Sequence, residues 1–121
     1  MTEPREPLRV LVVDDDPLLR RVFERALSKL EVDGVVVDSG DGAEAAARQG
    51  DFTLALVDMY LRGEQGTDVV RRVRQLQAKP PRFICISGAV RNTTAGKDEF
   101  DGFDAKPATV GDMKALLARW A

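Results

Sequence analysis

Apolar residues in this chain fall into short unbroken runs, separated by stretches where they recur every three or four positions. Residues 10–13, 54–57 and 83–86 are almost wholly apolar and bounded by turn formers. That is the pattern of strands buried on both faces. Residues 35–37 and a brief run at 103–105 predict two more strands. After the first run, Asp16-Pro17 reads as the N-cap and first position of a helix. Leu19, Val22, Phe23, Ala26, Leu27 and Leu30 then form one apolar face. Residues 43–49 predict a short alanine-rich helix after the turn-prone Asp38-Ser39-Gly40-Asp41-Gly42, with Gly50 as its stop. Gly63 and Gly66 mark a loop before a helix whose inner face is Val69, Val70, Val73 and Leu76. Residues 91–100 predict only a weak helix, broken by Gly96, and residues 110–120 predict the last one.

Strands alternating with helices predict an α/β fold, a parallel sheet covered on both faces. In such sheets ligands bind outside the carboxyl ends of the strands. The chain places its reactive side chains at those ends. The first run stops on Asp14-Asp15-Asp16, the third strand on Asp58, the fourth on Ser87 and the last on Lys106-Pro107.

The chain has 121 residues, 44% of them apolar and 31% charged, with a net charge of -2. The length suits one domain. No lysine- or arginine-rich stretch offers a footprint for nucleic acid. Arg71, Arg72 and Arg74 interleave with Val69, Val70 and Val73, as on the solvated face of a helix. A lone Cys85 inside an apolar strand reads as a small core residue, and no intrachain disulfide is possible. No apolar run approaches the length of a membrane span, and the N-terminus lacks a signal core. A cytoplasmic protein is expected, with residues 1–7 a flexible lead and 8–121 one domain. Histidine is absent, which removes histidine-ligated zinc, serine–histidine triads and a phosphohistidine on this chain.

Asp16 has an ordinary role in capping. Asp14 and Asp15 together with Asp58 do not, because three clustered carboxylates repel one another unless a cation is present. Mg²⁺ favours such oxygen ligands, and Mn²⁺ tolerates the same set. Taken alone, Ser87 has two equal readings, a strand-end serine bonded to local backbone or a ligand for an anion. Phe103 taken alone is a core phenylalanine.

Four motifs in order, Val12-Val13-Asp14-Asp15, Val57-Asp58-Met59, Ile86-Ser87-Gly88-Ala89 and Lys106-Pro107, closely resemble the receiver domain of two-component response regulators. The likeness runs from about Leu8 to Trp120. It implies a three-layer, flavodoxin-like doubly wound fold, with five parallel strands in the order 2-1-3-4-5. It implies Asp58 as phosphoacceptor, with Asp15, Asp58 and the backbone carbonyl of Tyr60 on Mg²⁺ and Asp14 completing the pocket through water. Ser87 and Lys106 would hold the phosphoryl group, Phe103 would be the switch aromatic, and the Lys106–Pro107 bond would be cis. The donor would be a sensor histidine kinase or phosphotransfer protein, and the output an unidentified protein partner, without direct contact to nucleic acid or membrane. Such a chain is not an enzyme beyond slow self-phosphorylation from small donors and self-dephosphorylation. Stand-alone regulator and N-terminal piece of a longer protein both stay open.

Several positions depart from that pattern. Arg62 stands where receivers commonly have proline, Asp104 falls in a strand that is usually apolar, and the segment between Ser87 and Lys106 is short. A short or mobile fourth helix is therefore expected. The bulky Tyr60 is expected to slow loss of the phosphoryl group. The weaker alternatives are three. One is a haloacid dehalogenase-type phosphatase using Asp14, with Asp98, Glu99 and Asp101 as its late acids. The others are a docking module that does not switch, and a flavodoxin, which the acidic first loop disfavours.

Overall fold

The three continuous apolar runs lie side by side in the middle of a parallel sheet. A computed structural model of the protein describes residues 7–87 and 99–121. The elements are β1 (Arg9–Val13), α1 (Pro17–Lys29), β2 (Asp33–Val37), α2 (Gly40–Gln49), β3 (Leu54–Asp58), β4 (Tyr60–Leu61), β5 (Glu64–Gln65), α3 (Gly66–Leu76), β6 (Arg82–Ser87), β7 (Gly102–Ala105) and α4 (Val110–Trp120). The sheet order is β2-β1-β3-β6-β7, all parallel. This is the expected 2-1-3-4-5 order once the small antiparallel ribbon β4–β5 is set apart.

Alternation along each central strand sends its side chains to two separate cores. Leu11, Val13, Ala55, Val57, Phe83 and Cys85 face α2 and α3, packing with Ala43, Val69, Val70 and Val73. Val10, Val12, Leu54, Leu56, Ile84 and Ile86 face α1 and α4, packing with Phe23, Leu27, Met113 and Leu116. The result is three layers. Each large side chain fully buried here contributes about 1.5–3 kcal/mol, which is why the apolar runs tolerate no polar residue until their carboxyl ends.

Helix starts are set by short-range chemistry. Asp16 accepts at Oδ1 from Leu18 N at 2.9 Å with Pro17 at the first position, as the sequence predicts. The turn expected at residues 38–42 is instead the start of α2. Ser39 Oγ accepts from Gly42 N at 3.1 Å and caps a helix that begins at Gly40, ahead of the expected residue 43.

One further expectation is corrected, and the departure at Asp104 is explained. Asp104 does not disturb β7: its carboxylate accepts from Trp120 Nε1 at 2.9 Å, Arg119 Nε at 2.8 Å and Ala105 N at 2.8 Å. This clasp fastens the end of α4 to the edge strand, with the Trp120 ring over Gly102. The Lys106–Pro107 bond is trans, as are all peptide bonds among the described residues, so the expected cis bond is corrected. Trans is the ordinary preference of an X–Pro bond, and in that form Lys106 still reaches the acid pocket. The expected weak helix, and Asp98, fall mostly or wholly at residues 91–98, outside the described residues. So do residues 1–6 of the lead. Among the described residues, no helix is long and apolar enough to cross a membrane.

Candidate functional site

Strands β1, β3 and β6 and the turn after β7 deliver five of the expected residues to one end of the sheet. Asp14 follows β1 directly, and its N–H donates to Val37 O at 3.1 Å, which fixes where the strand ends. Its Oδ1 accepts from Asp16 N at 2.9 Å. Asp15 is half-buried, and its Oδ2 accepts from Arg62 N at 2.9 Å. Asp58, the last residue of β3, is 7% exposed. Lys106 Nζ donates to Asp58 Oδ2 at 2.8 Å and lies 3.2 Å from Asp14 Oδ2. One oxygen from each of Asp14, Asp15 and Asp58 lies within 4.8 Å of the others.

Two of the three carboxylates, Asp14 and Asp58, therefore share one ammonium, with Asp15 close by. Burial raises the Asp14 carboxyl above its ordinary range, despite the Asp16 amide and Lys106. Burial pulls Lys106 down, yet its hydrogen bond to Asp58 and the charges of both aspartates outweigh that and raise it overall. Nearby Cys85 is pushed up to about 11 by burial, with the Asp58 charge adding to it, and is inert.

Asp14 Oδ2 is buried and accepts no hydrogen bond among the described residues, although Lys106 lies close in charge contact. A buried carboxylate oxygen is normally satisfied, and this one, with Lys106 beside it, is an oxygen that a cation or its bound water would fit. The donors are all hard oxygens with excess negative charge, a set that fits Mg²⁺ or Mn²⁺.

The other expected residues lie around this pocket. Ser87 ends β6, half-buried, and its carbonyl accepts from Lys106 N at 3.1 Å. Phe103 pairs with Cys85 across the sheet and packs half-buried against the α2–α3 core, its ring 5.7 Å from that of Phe100. Tyr60 opens β4 with its side chain 67% exposed, and its N–H donates weakly to Asp58 Oδ1 at 3.4 Å.

Some contacts escape sequence reasoning. Arg20 reaches back from α1 to donate to the Asp14 carbonyl at 3.1 Å. Gly66 N donates to Met59 O at 2.7 Å, closing the β4–β5 ribbon. The ribbon turns at Gly63, whose φ is +79°, so Arg62 does not prevent the turn. The only signal in the sequence was the pair of glycines.

The two late acids of the phosphatase alternative among the described residues, Glu99 and Asp101, go elsewhere. Asp101 Oδ2 accepts from Phe83 N at 2.8 Å, at the amino end of β6. Glu99 is held by Arg71 and Arg74 on α3. Arg72 is bound by Asp41, Glu44 and Glu64. All three arginines of the basic cluster thus face acids, as a solvated helix face should.

Residues 10–118 match the family described as "Response regulator receiver domain". The transcriptional regulatory protein TcrA of Mycobacterium tuberculosis is 32% identical over 115 residues, 91% of this chain and 44% of TcrA. The chain spans about half the length of the curated relatives it matches. The chemotaxis protein CheY4 of Vibrio cholerae superposes with a TM-score of 0.84 at 22% identity, covering 96% of this chain and 100% of that one. A response regulator protein from Burkholderia pseudomallei, solved with a phosphorylated aspartic acid, calcium ion and citrate, superposes at 0.78 with 26% identity, over 94% of this chain and 66% of that one. Sequence and fold agree over nearly all of the chain, and it belongs to the response regulator receiver domain family.

Proposed function

We propose that Asp58 accepts a phosphoryl group from the phosphohistidine of a separate sensor kinase or phosphotransfer protein, and that the chain passes the signal to a protein partner by a change of shape. The observation that carries this reading is the contact of Lys106 Nζ with Asp58 Oδ2 at 2.8 Å, beside the orphaned Asp14 oxygen.

The chemistry follows from the residues present. A carboxylate oxygen of Asp58 attacks phosphorus, the bond to the donor's imidazole nitrogen breaks, and its electron pair leaves with the imidazole. Asp58 then carries the acyl phosphate. Asp14, Asp15, Asp58 and the Tyr60 carbonyl would hold Mg²⁺, with Asp14 acting through water; Mn²⁺ suits the same donors. When bound, the cation neutralises charge on the transferring oxygens. Lys106 follows the charge outward from the Asp58 carboxylate to the phosphoryl oxygens, and the Ser87 hydroxyl donates to one of them.

Magnitudes favour a switch. Modification adds about one further negative charge, worth about 4 kcal/mol to a lysine ~4 Å away at an effective dielectric of 20. A charge-assisted bond from Ser87 adds about 1.5–3 kcal/mol. Reversing a population from 1:99 to 99:1 takes about 5.5 kcal/mol. Phe103, the strand partner of Cys85, would be the aromatic that follows that change.

The chain turns over no substrate beyond slow self-phosphorylation and self-dephosphorylation, and it works in the cytoplasm. The pairing of Arg71, Arg72 and Arg74 with acids supports a protein partner over nucleic acid or membrane. Tandem mass spectrometry after treatment with acetyl phosphate and Mg²⁺ tests the acceptor. Modification mapped to Asp58 supports it, and modification at Asp14 or at a serine contradicts it.

A further inference from the structure

The ribbon that follows Asp58 is tied at its tip and on its return strand. At the tip, the backbone N–H of Arg62 donates to Asp15 Oδ2 at 2.9 Å, across 47 residues of chain. On β5, Glu64 Oε2 accepts from Gly40 N, the first residue of α2, at 3.0 Å. The other oxygen of Glu64 lies 3.5 Å from Arg72 Nη1. Arg72 also binds Asp41 and Glu44 of α2, so the ribbon, α2 and α3 meet on one guanidinium. Gly40 makes room for this: a Cβ there would sit 2.1 Å from Glu64 Oε1.

We infer that Arg62, through its backbone N–H, and Glu64, through its grip on Gly40 and Arg72, are positioning residues that hold the Asp15 carboxylate turned into the cation pocket. The Asp15 side chain has two free torsions, and the donor on Oδ2 restricts both. Outer donors of this kind orient a cation ligand before the cation arrives. The donor is available because residue 62 is not proline, which has no N–H. Glu64 acts at one remove: it fixes the short arm on which the Arg62 amide is carried. The inference rests on the reading of Asp15 as a cation ligand.

The test compares Arg62→Pro with Arg62→Ala, which removes the same side chain and keeps the N–H. Mn²⁺ is the probe, its free fraction read by electron paramagnetic resonance, with unfolding midpoints recorded beside it. Arg62→Pro should bind Mn²⁺ about tenfold more weakly than Arg62→Ala; equal affinities overturn the inference. Should Arg62→Pro fail to unfold cooperatively, Glu64→Ala decides. It should weaken Mn²⁺ several-fold, with Glu64→Gln, which keeps an acceptor for Gly40, recovering most of the loss. Wild-type affinity in Glu64→Ala overturns the inference. The amide resonance of Arg62 should also shift on Mg²⁺ addition to the wild type, and a resonance that stays still counts against it. A wild-type chain that binds no Mn²⁺ at all would sink the reading of the site itself, whereas binding that is indifferent to these variants sinks only this inference.

Discussion

Lys106 and Asp58 meet at 2.8 Å although they lie 48 residues apart, and the same ammonium is 3.2 Å from Asp14. Both carboxylates are at least nine-tenths shielded, and the lysine is 17% exposed. Removing the cation leaves two buried charges without a partner. Lys106→Met should therefore cost the metal-free protein about 2 kcal/mol after allowance for solvent screening. Saturating Mg²⁺ should raise the unfolding midpoint of this variant more than that of the wild type. Equal shifts in both would contradict the shared-ammonium account.

Gly66 begins α3 directly against β3, the strand that ends on Asp58. A Cβ there would stand 2.3 Å from the Asp58 carbonyl oxygen, a backbone atom that cannot swing away. Gly66→Ala should destabilise by about 2–4 kcal/mol, in the range of backbone overlap, and should slow phosphorylation because the strain falls on Asp58 itself. Denaturant unfolding with a loss under about 0.5 kcal/mol, the size of an ordinary surface change, would refute it.

The Asp104 clasp predicts a pH dependence. Burial raises this carboxyl, but the bonds from Trp120 and Arg119 outweigh burial and set it below the ordinary value of 3.8. A lowered folded-state pKa means that the carboxylate contributes stability above the unfolded value and loses it as pH falls through the folded one. Asp104→Asn should thus cost about 1 kcal/mol at neutral pH, with the gap to wild type closing as the medium falls below the ordinary value. Trp120 fluorescence in urea measures this. A gap that stays constant down to strong acid would rule the clasp out as its source.

Much of the fold was legible because the central strands are buried on both faces and show it as unbroken apolar runs. Asp16-Pro17 marked α1 for a similarly local reason, a cap and a preset backbone angle side by side. The start of α2 was hidden. Residues 38–42 have turn composition, and one acceptor for the first amide of that helix is Glu64, which is far along the chain. Asp104 looked out of place for the same kind of reason, since its donors lie on α4. The candidate site was legible at the strand ends as a cluster of Asp14, Asp15 and Asp58 with Lys106 beside it, whereas Ser87 alone had an equal structural reading. The ribbon was not, because two-residue strands carry no periodicity and Arg62 acts through its backbone.

Tyr60 stands beside the acceptor with its side chain in solvent. On the proposed reading, with Asp58 phosphorylated, its bulk would stand where an attacking water approaches. Tyr60→Asn should shorten the phosphoryl lifetime by a few-fold, followed as the decay of the phosphorylated mass. An unchanged lifetime would remove the shielding role.

The central claim is that Asp58 is the phosphoacceptor and works with a divalent cation. Intact mass after exposure to acetyl phosphate, with and without Mg²⁺ and beside Asp58→Asn, tests it most directly. The account predicts a single phosphoryl adduct that needs Mg²⁺ and disappears in the variant. An adduct that persists in Asp58→Asn, or none under any condition, would contradict it.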